Sequence, residues 1–208
     1  MSEKQVNFKE LMDAFDFNIS DKELIQDNKL HFIVTEQLYR VRMPVQKELV
    51  ESRDIYHSAK IKLLQKGNVL TEEQLREVLK KNNIDIEKFE ADLKDLDSDL
   101  IQKSISLAHK RDTEVTTITN LKKEIKEVQD KRYKIAEKIA EHLSSSLENM
   151  SKDKQYEYLA SVCTEKYIKE EDKGKWIKVW NDINEYGNDD TNLPYIALGH
   201  LTRLILTT

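Results

Sequence analysis

The stretch ITNLKKEIKEVQDKRYKIAEKIAEH, residues 118–142, carries the most regular pattern in the chain. Apolar side chains recur there at alternating intervals of three and four residues, with Lys and Glu on both flanks: Leu121, Ile125, Val128, Ile135 and Ile139. Arg132 and His142 occupy two positions of the same seam and interrupt its apolar character. A heptad pattern of this length predicts a helix of about 30 residues that packs as in a coiled coil.

Two partners can satisfy this seam. One is the upstream segment, in which apolar residues are also spaced by three and four: Ile86, Phe89, Leu93, Leu96 and Leu100. Packing of the two segments would give an antiparallel helical hairpin, whereas packing against another chain would give an intermolecular coiled coil. Between them, the apolar pattern weakens at residues 104–106, where we expect a break or a bend.

The N-terminal region combines helices with a small β-hairpin. Residues 8–17 place Phe8, Leu11, Met12 and Phe15 on one helical face. The period then changes to alternation at residues 30–34 and 38–43, which predicts two paired strands without an Asn-Gly or Asp-Gly turn. Pro44 is expected to end the second strand and to start a helix at 45–65, which Gly67 ends.

The remaining signals divide the chain into three regions. Thr71 and Gln74 form a capping box, and Asp85 can cap the next helix. Seven of the 15 aromatic residues follow residue 150, where Trp176 and Trp180 are expected to stack on one helical face. The expected regions are 1–70 (helix, β-hairpin, helix), 71–148 (long helices) and 149–208 (an aromatic-rich helical unit with a terminal helix at 193–206). The predicted fold class is mainly α.

Composition excludes several classes of protein. The 208 residues include 35% charged residues but only four glycines and two prolines, which argues against an all-β fold and against glycine-rich nucleotide loops. Acidic and basic residues are interleaved with a net charge of −5, so we expect no nucleic-acid partner. No apolar stretch approaches the ~18 residues of a membrane span, and residues 1–8 lack a secretory signal pattern, which predicts a cytoplasmic protein.

Residues that could carry chemistry are few. The five histidines never occur in an H-x-x-x-H pattern, and Asp54 with His57 is too small a set for a metal site. The lone Cys163 is expected to be a small buried apolar residue, although His200 could approach it in the folded chain. We therefore predict no catalytic, metal or cofactor residues and a protein that is not an enzyme.

Two segments carry a resemblance to a known family. LYRVRMPVQKE at 38–48 leads from a strand into a helix that begins after proline, and YEYLASVCT at 156–164 follows a long charged helix. Both resemble segments of tailed-phage tail assembly proteins of the chaperone type, and the order of hairpin, helices, long helix and aromatic unit matches over most of the chain. The resemblance implies a non-enzymatic assembly factor in the host cytoplasm that binds another phage tail or baseplate hub protein.

An assembly factor needs amphipathic surfaces and not a chemical pocket. The candidate partner-binding residues are those of the seam and the two tryptophans: Leu121, Ile125, Val128, Ile135, Ile139, Trp176 and Trp180. Two alternatives remain open, namely a permanent structural component of the virion tail or baseplate, and a cellular coiled-coil adaptor that self-associates.

Overall fold

The computed structural model describes residues 25–110, 115–170 and 173–207, in which seven helices and five strands are found. The strands are β1 (Ile25–Gln26), β2 (Lys29–Val34), β3 (Gln37–Arg42), β4 (Thr164–Glu170) and β5 (Lys173–Lys178). The helices are α1 (Gln46–Lys66), α2 (Glu72–Lys81), α3 (Ile86–Ala108), α4 (Val115–Leu143), α5 (Leu147–Cys163), α6 (Ile183–Gly187) and α7 (Leu193–Thr207). The predicted mainly α class with a small N-terminal β-hairpin is confirmed. The helix expected at 8–17 lies outside the described residues.

The chain divides into two units. The sheet unit comprises Met1–Ile61 and Ser151–Thr208, and the hairpin unit comprises Lys62–Met150. The sequence placed residues 1–70 and 149–208 in separate regions, whereas the sheet unit draws on both of them. The cause is strand pairing: β3 pairs with β4, with Val41 opposite Thr164. Pairing between strands that are so far apart in the sequence produces no local periodicity from which it could be predicted.

The sheet unit is built on a five-stranded antiparallel sheet in the order β1-β2-β3-β4-β5. The turn between β2 and β3 uses Thr35 and Glu36, whose φ values are 48° and 64°. Two consecutive left-handed residues give the tight turn that suits a twisted hairpin. The predicted hairpin is thus made without the glycine that such a turn usually contains.

Strands β4 and β5 correct the expectation for the C-terminal tryptophans. Trp176 lies within β5, opposite Tyr167 of β4, and Trp180 follows the end of β5. The two rings therefore do not stack on a helical face. The four-residue spacing of the two tryptophans fits one face of a helix. Trp176 instead lies in a strand, where side chains alternate between the two faces of the sheet. Its ring forms a cross-strand aromatic pair with that of Tyr167.

One face of the sheet carries the core of this unit. Leu30 and Val41 from the sheet are completely buried together with Ala197, Leu201 and Leu204 of α7. The three α7 residues are spaced by four and three, so they form a single apolar stripe that packs on the sheet. The end of α5 completes the cluster with Leu159, Ala160 and Cys163.

The hairpin unit consists of α2 and an antiparallel pair formed by α3 and α4. The rings of Phe89 and His142 lie 6.4 Å apart near one end, and Lys103 Nζ lies 2.9 Å from Glu124 Oε2 further along. These pairs show that α4 runs back along α3, as in the helical hairpin that was one of the two arrangements predicted for the seam. The predicted capping box at Thr71 and the cap at Asp85 are also present.

Helix α3 continues through residues 104–106, so the break expected there is wrong. The Ser106 hydroxyl donates to the carbonyl of Gln102 at 2.9 Å, and the Ser98 hydroxyl donates to the carbonyl of Lys94 at 3.0 Å. A serine that bonds to the preceding turn in this way satisfies its own polar group inside a helix. The weak apolar pattern therefore reflects solvent exposure and not an interruption of the helix.

Candidate protein-binding surfaces

The five seam residues of α4 lie inside the hairpin. Val128 is only 7% exposed, and Leu121, Ile125, Ile135 and Ile139 are half-buried. The matching positions of α3 are also among its less exposed ones: Phe89, Leu93, Leu96 and Leu100. The seam is therefore used within the chain, and its residues stabilise the hairpin.

Charged side chains occupy the gaps in this seam. Arg132 Nε lies 2.5 Å from Asp97 Oδ1, so the arginine that interrupts the α4 seam is paired across the hairpin. Lys103 interrupts the α3 seam in the same way and contacts both Glu124 and Asp99. His142 stacks on Phe89 with the two rings nearly parallel. Each polar interruption thus has a specific partner on or near the facing helix.

Trp180 belongs to the core and not to a surface. It is 4% exposed, its Nε1 donates to Asp189 Oδ2 at 2.9 Å, and its ring meets that of Tyr186 edge-on at 4.9 Å. Burial alone would raise the pKa of Asp189, but the hydrogen bonds from Thr191 and Trp180 outweigh it and lower that pKa. This residue therefore packs the sheet unit internally.

Trp176 lies in a separate cluster on the sheet. The Arg40 guanidinium sits 4.2 Å from the centre of the Trp176 ring, and Tyr167 meets the ring edge-on at 5.2 Å. Arg40 also pairs with Glu165 at 2.6 Å. A cation over an aromatic face is an attractive arrangement that holds the half-buried ring in place. Trp176 belongs to the sheet unit, whereas the α4 seam residues belong to the hairpin unit.

An exposed apolar set at the distal end of the hairpin was missed by the sequence analysis. We call it the hairpin tip; it consists of Ile101 (61% exposed), Ile105 (54%) and Val115 (66%). Ile101 and Ile105 are one turn apart on the outer face of α3, away from the seam. The signal in the sequence was that both isoleucines fall between seam positions, where charged or polar residues are the norm.

A second feature is a groove along one side of the same hairpin. It is wide open to solvent and has a volume of about 520 Å³, with Leu96 of α3 and Ile135 of α4 at its floor. Asp92 and Asp95 line the α3 side, while Lys131 and Lys134 line the α4 side. We call this the side groove. It combines an apolar floor with walls of opposite charge.

The chemistry around Cys163 is that of a structural thiol. Its sulfur lies 3.8 Å from Arg42 Nη1 and 3.9 Å from Glu48 Oε2, and burial raises its pKa to about 12. A thiol that stays protonated is a poor nucleophile. The ring of His200, the residue that could approach Cys163 according to the sequence, packs against the Phe32 ring at 4.5 Å.

Neither a metal-binding group nor a membrane-spanning helix is found among the described residues. Across 25–110, 115–170 and 173–207, no three His, Cys, Asp or Glu side chains are grouped so that they could hold a metal ion. Within the same residues no helix has both the length and the apolar character needed to cross a membrane. Comparisons with protein-family models, with curated proteins and with solved structures gave no match.

Proposed function

We propose that this protein is a non-enzymatic assembly factor for a phage tail or baseplate hub, and that the hairpin tip binds another virion protein. The observation that carries the proposal is the exposure of three large apolar side chains, Ile101, Ile105 and Val115, at one end of a helical hairpin. The resemblance at residues 38–48 and 156–164 supplies the class of partner. The site of action is then the host cytoplasm during virion assembly.

The hairpin presents these side chains at a distance from the rest of its unit. Helix α2 contacts the hairpin near its base, where Arg76 pairs with Glu90 at 2.6 Å. Ile105 lies 15 residues further along α3 than Glu90, which corresponds to about 22 Å at the rise of an α-helix. The tip can therefore reach a partner without rearrangement of α2.

The size of the exposed set suits a reversible contact. Complete burial of an exposed aliphatic side chain contributes roughly 1.5–3 kcal/mol, and these three are already about 40% buried. Their burial by a partner would then contribute about 3–5 kcal/mol in total. That is less than the ~8 kcal/mol of a micromolar complex, so the contact can be released when assembly is complete.

The test is recovery of partners from the cells that produce the protein. The tagged full chain is captured, and mass spectrometry is applied both to the captured proteins and to purified particles. We expect tail or hub proteins among the captured proteins and no tagged chain in finished particles. Presence in particles would instead indicate a permanent virion component, and capture of host proteins alone would indicate a cellular adaptor; either result overturns the proposal.

A matched pair of variants tests the surface. Ile101→Asp with Ile105→Asp places two charges in the tip, whereas Gln102→Asp with Ser104→Asp adds the same charge at exposed positions of the same helix. Circular dichroism checks that both remain helical. We expect the first variant to lose the tail or hub proteins and the second to retain them. Equal capture by the two variants would show that the tip is not the binding surface.

A further inference from the structure

We propose that the side groove binds the side groove of a second copy of this chain, so that two α3–α4 hairpins form a four-helix bundle. The proposal does not depend on the proposed function, because it concerns a different surface and a different partner. It is carried by the placement of charges along the groove. In a four-helix bundle, the apolar side chains of all four helices pack around one shared core.

The charges that line the groove have no ion-pair partner among the residues that the structure describes. Asp92, Asp95, Lys131 and Lys134 are all exposed, and none of them forms an ion pair with a described residue. The cross-hairpin ion pairs involve other residues, such as Asp97 with Arg132. Leu96 and Ile135 remain half-buried at the groove floor. A ligand for this surface therefore needs an apolar strip flanked by charges of both signs.

Helix α2 does not occupy this side of the hairpin. It contacts α3 through ion pairs at Glu87 and Glu90, with Lys80 and Arg76. On a helix, Glu87 and Glu90 lie on the opposite flank of the α3 seam from Asp92 and Asp95. The side groove consequently lies on the flank of α3 that α2 leaves uncovered.

The distribution of charge makes the groove complementary to itself. Both carboxylates lie on α3 and both ammonium groups lie on α4. A two-fold axis parallel to the helices places α3 of one copy against α4 of the other, so that acidic walls face basic walls twice. A two-fold axis perpendicular to the helices would place α3 on α3 and would oppose like charges. The charges therefore favour the two-fold axis that is parallel to the helices.

The register of the hairpin brings the charges to the same level. Asp97 pairs with Arg132, so Asp95 and Lys134, two residues away on each helix, lie level with each other. Rotation about a two-fold axis parallel to the helices leaves each residue at the same height along the bundle, so Asp95 of one copy also lies level with Lys134 of the other. All neighbouring helices in the bundle are then antiparallel, which is a common arrangement in bundles with short loops.

The available surface is sufficient for a dimer of moderate stability. Helix α3 has 23 residues and is therefore about 35 Å long. With the usual helix diameter of about 10 Å, a two-helix face of this length offers roughly 700 Å². Standard interfaces bury about 800 Å² per partner.

The experiment is a charge exchange with the full chain, measured by sedimentation equilibrium across a concentration series. An acidic variant carries Lys131→Asp and Lys134→Asp, and a basic variant carries Asp92→Lys and Asp95→Lys. We expect each alone to dimerise about 30-fold more weakly than the wild-type chain, from four exposed pairs of about 0.5 kcal/mol each. Added salt should reduce this difference because it screens exposed charges.

A mixture of the acidic and basic variants provides the decisive control. Each acidic wall then meets a basic wall, so we expect heterodimers with an affinity near that of the wild-type dimer. Lys122→Asp with Lys126→Asp changes the net charge as the acidic variant does, but these exposed lysines lie on other faces of α4. That control should dimerise like the wild-type chain.

Three results would overturn the proposal: a wild-type chain that stays monomeric at every concentration, single variants that dimerise as the wild type does, or a mixture without heterodimers. Circular dichroism of each variant shows whether the hairpin stays helical. The mixture distinguishes a folding defect from the loss of the contact between two side grooves, because a misfolded variant cannot form heterodimers. The tip variants leave the groove intact, so failure of partner capture and failure of dimerisation are measured separately.

Discussion

Replacement of Trp180 by alanine should strongly destabilise the sheet unit. The ring is almost completely buried, packs edge-on against Tyr186 and donates a hydrogen bond to Asp189. Truncation of a buried tryptophan to alanine costs about 3–5 kcal/mol, because the apolar contacts are lost and a cavity remains. Asp189 keeps its hydrogen bonds from the backbone and hydroxyl of Thr191, so its carboxylate still has donors when the indole is removed.

A second substitution separates packing from hydrogen bonding. Trp180→Phe keeps an aromatic ring beside Tyr186 but removes the indole donor, and we expect a loss of about 1.5–3 kcal/mol from the missing hydrogen bond to a charged group. Tyr195→Ala is the control, since this aromatic residue of α7 is 79% exposed. Its removal should change the free energy of unfolding by less than about 0.5 kcal/mol.

The assay uses the other tryptophan. The chain contains two tryptophans, and both lie in the sheet unit, so in the Trp180 variants the fluorescence of Trp176 reports unfolding of that unit alone. Urea titrations followed by this signal give the free energy of unfolding for each variant. A loss below about 1 kcal/mol for Trp180→Ala would refute the inference that the ring is a core residue.

Three further changes test other parts of the fold. Ile125→Asp places a charge in the seam of the hairpin and should abolish much of its helicity in circular dichroism, whereas Lys126→Asp, at the next and exposed position, should not. Thr71→Ala removes the capping box of α2 and should lower the free energy of unfolding of the hairpin unit by about 1 kcal/mol in urea titrations. Burial would raise the pKa of Glu48, but hydrogen bonds from Arg42 and from the Val45 backbone lower it overall. The stability that Glu48 contributes is therefore fully present above the pKa that Glu48 has in the unfolded chain, and it is lost as the pH falls through the pKa that Glu48 has in the folded chain. In the Glu48→Gln variant, the free energy of unfolding should therefore decrease less steeply as the pH is lowered through this range.

Local signals in the sequence predicted local structure well. The capping box at Thr71 and the stop at Gly67, whose φ is +69°, depend only on neighbouring residues. The alternation at residues 30–34 and 38–43 located β2 and β3 for the same reason. The seam of α4 predicted a paired helix because a heptad records the facing surface directly.

Features that depend on distant residues could not be read in this way. The pairing of β3 with β4 joins Arg40 to Glu165, which are 125 residues apart. Nothing near either residue indicates the other, and the four-residue spacing of the C-terminal tryptophans predicts a helix where the structure has a strand. The exposure of Ile101 and Ile105 likewise depends on which face of α3 meets α4, and that face is defined only once the hairpin has formed.

The polar residues within the seam explain why the hairpin has one register. In the observed register Lys103 meets Glu124 and Arg132 meets Asp97. A slide by one heptad in one direction would place Lys103 against Lys131, and a slide in the other direction would place it against Thr117. An apolar residue at these positions would stabilise all three registers alike, whereas a charged one favours the register in which it is paired. The same register places Asp95 level with Lys134. The charged residues within the seam, Lys103 and Arg132, therefore also determine whether the charges of the side groove can pair with those of a second copy.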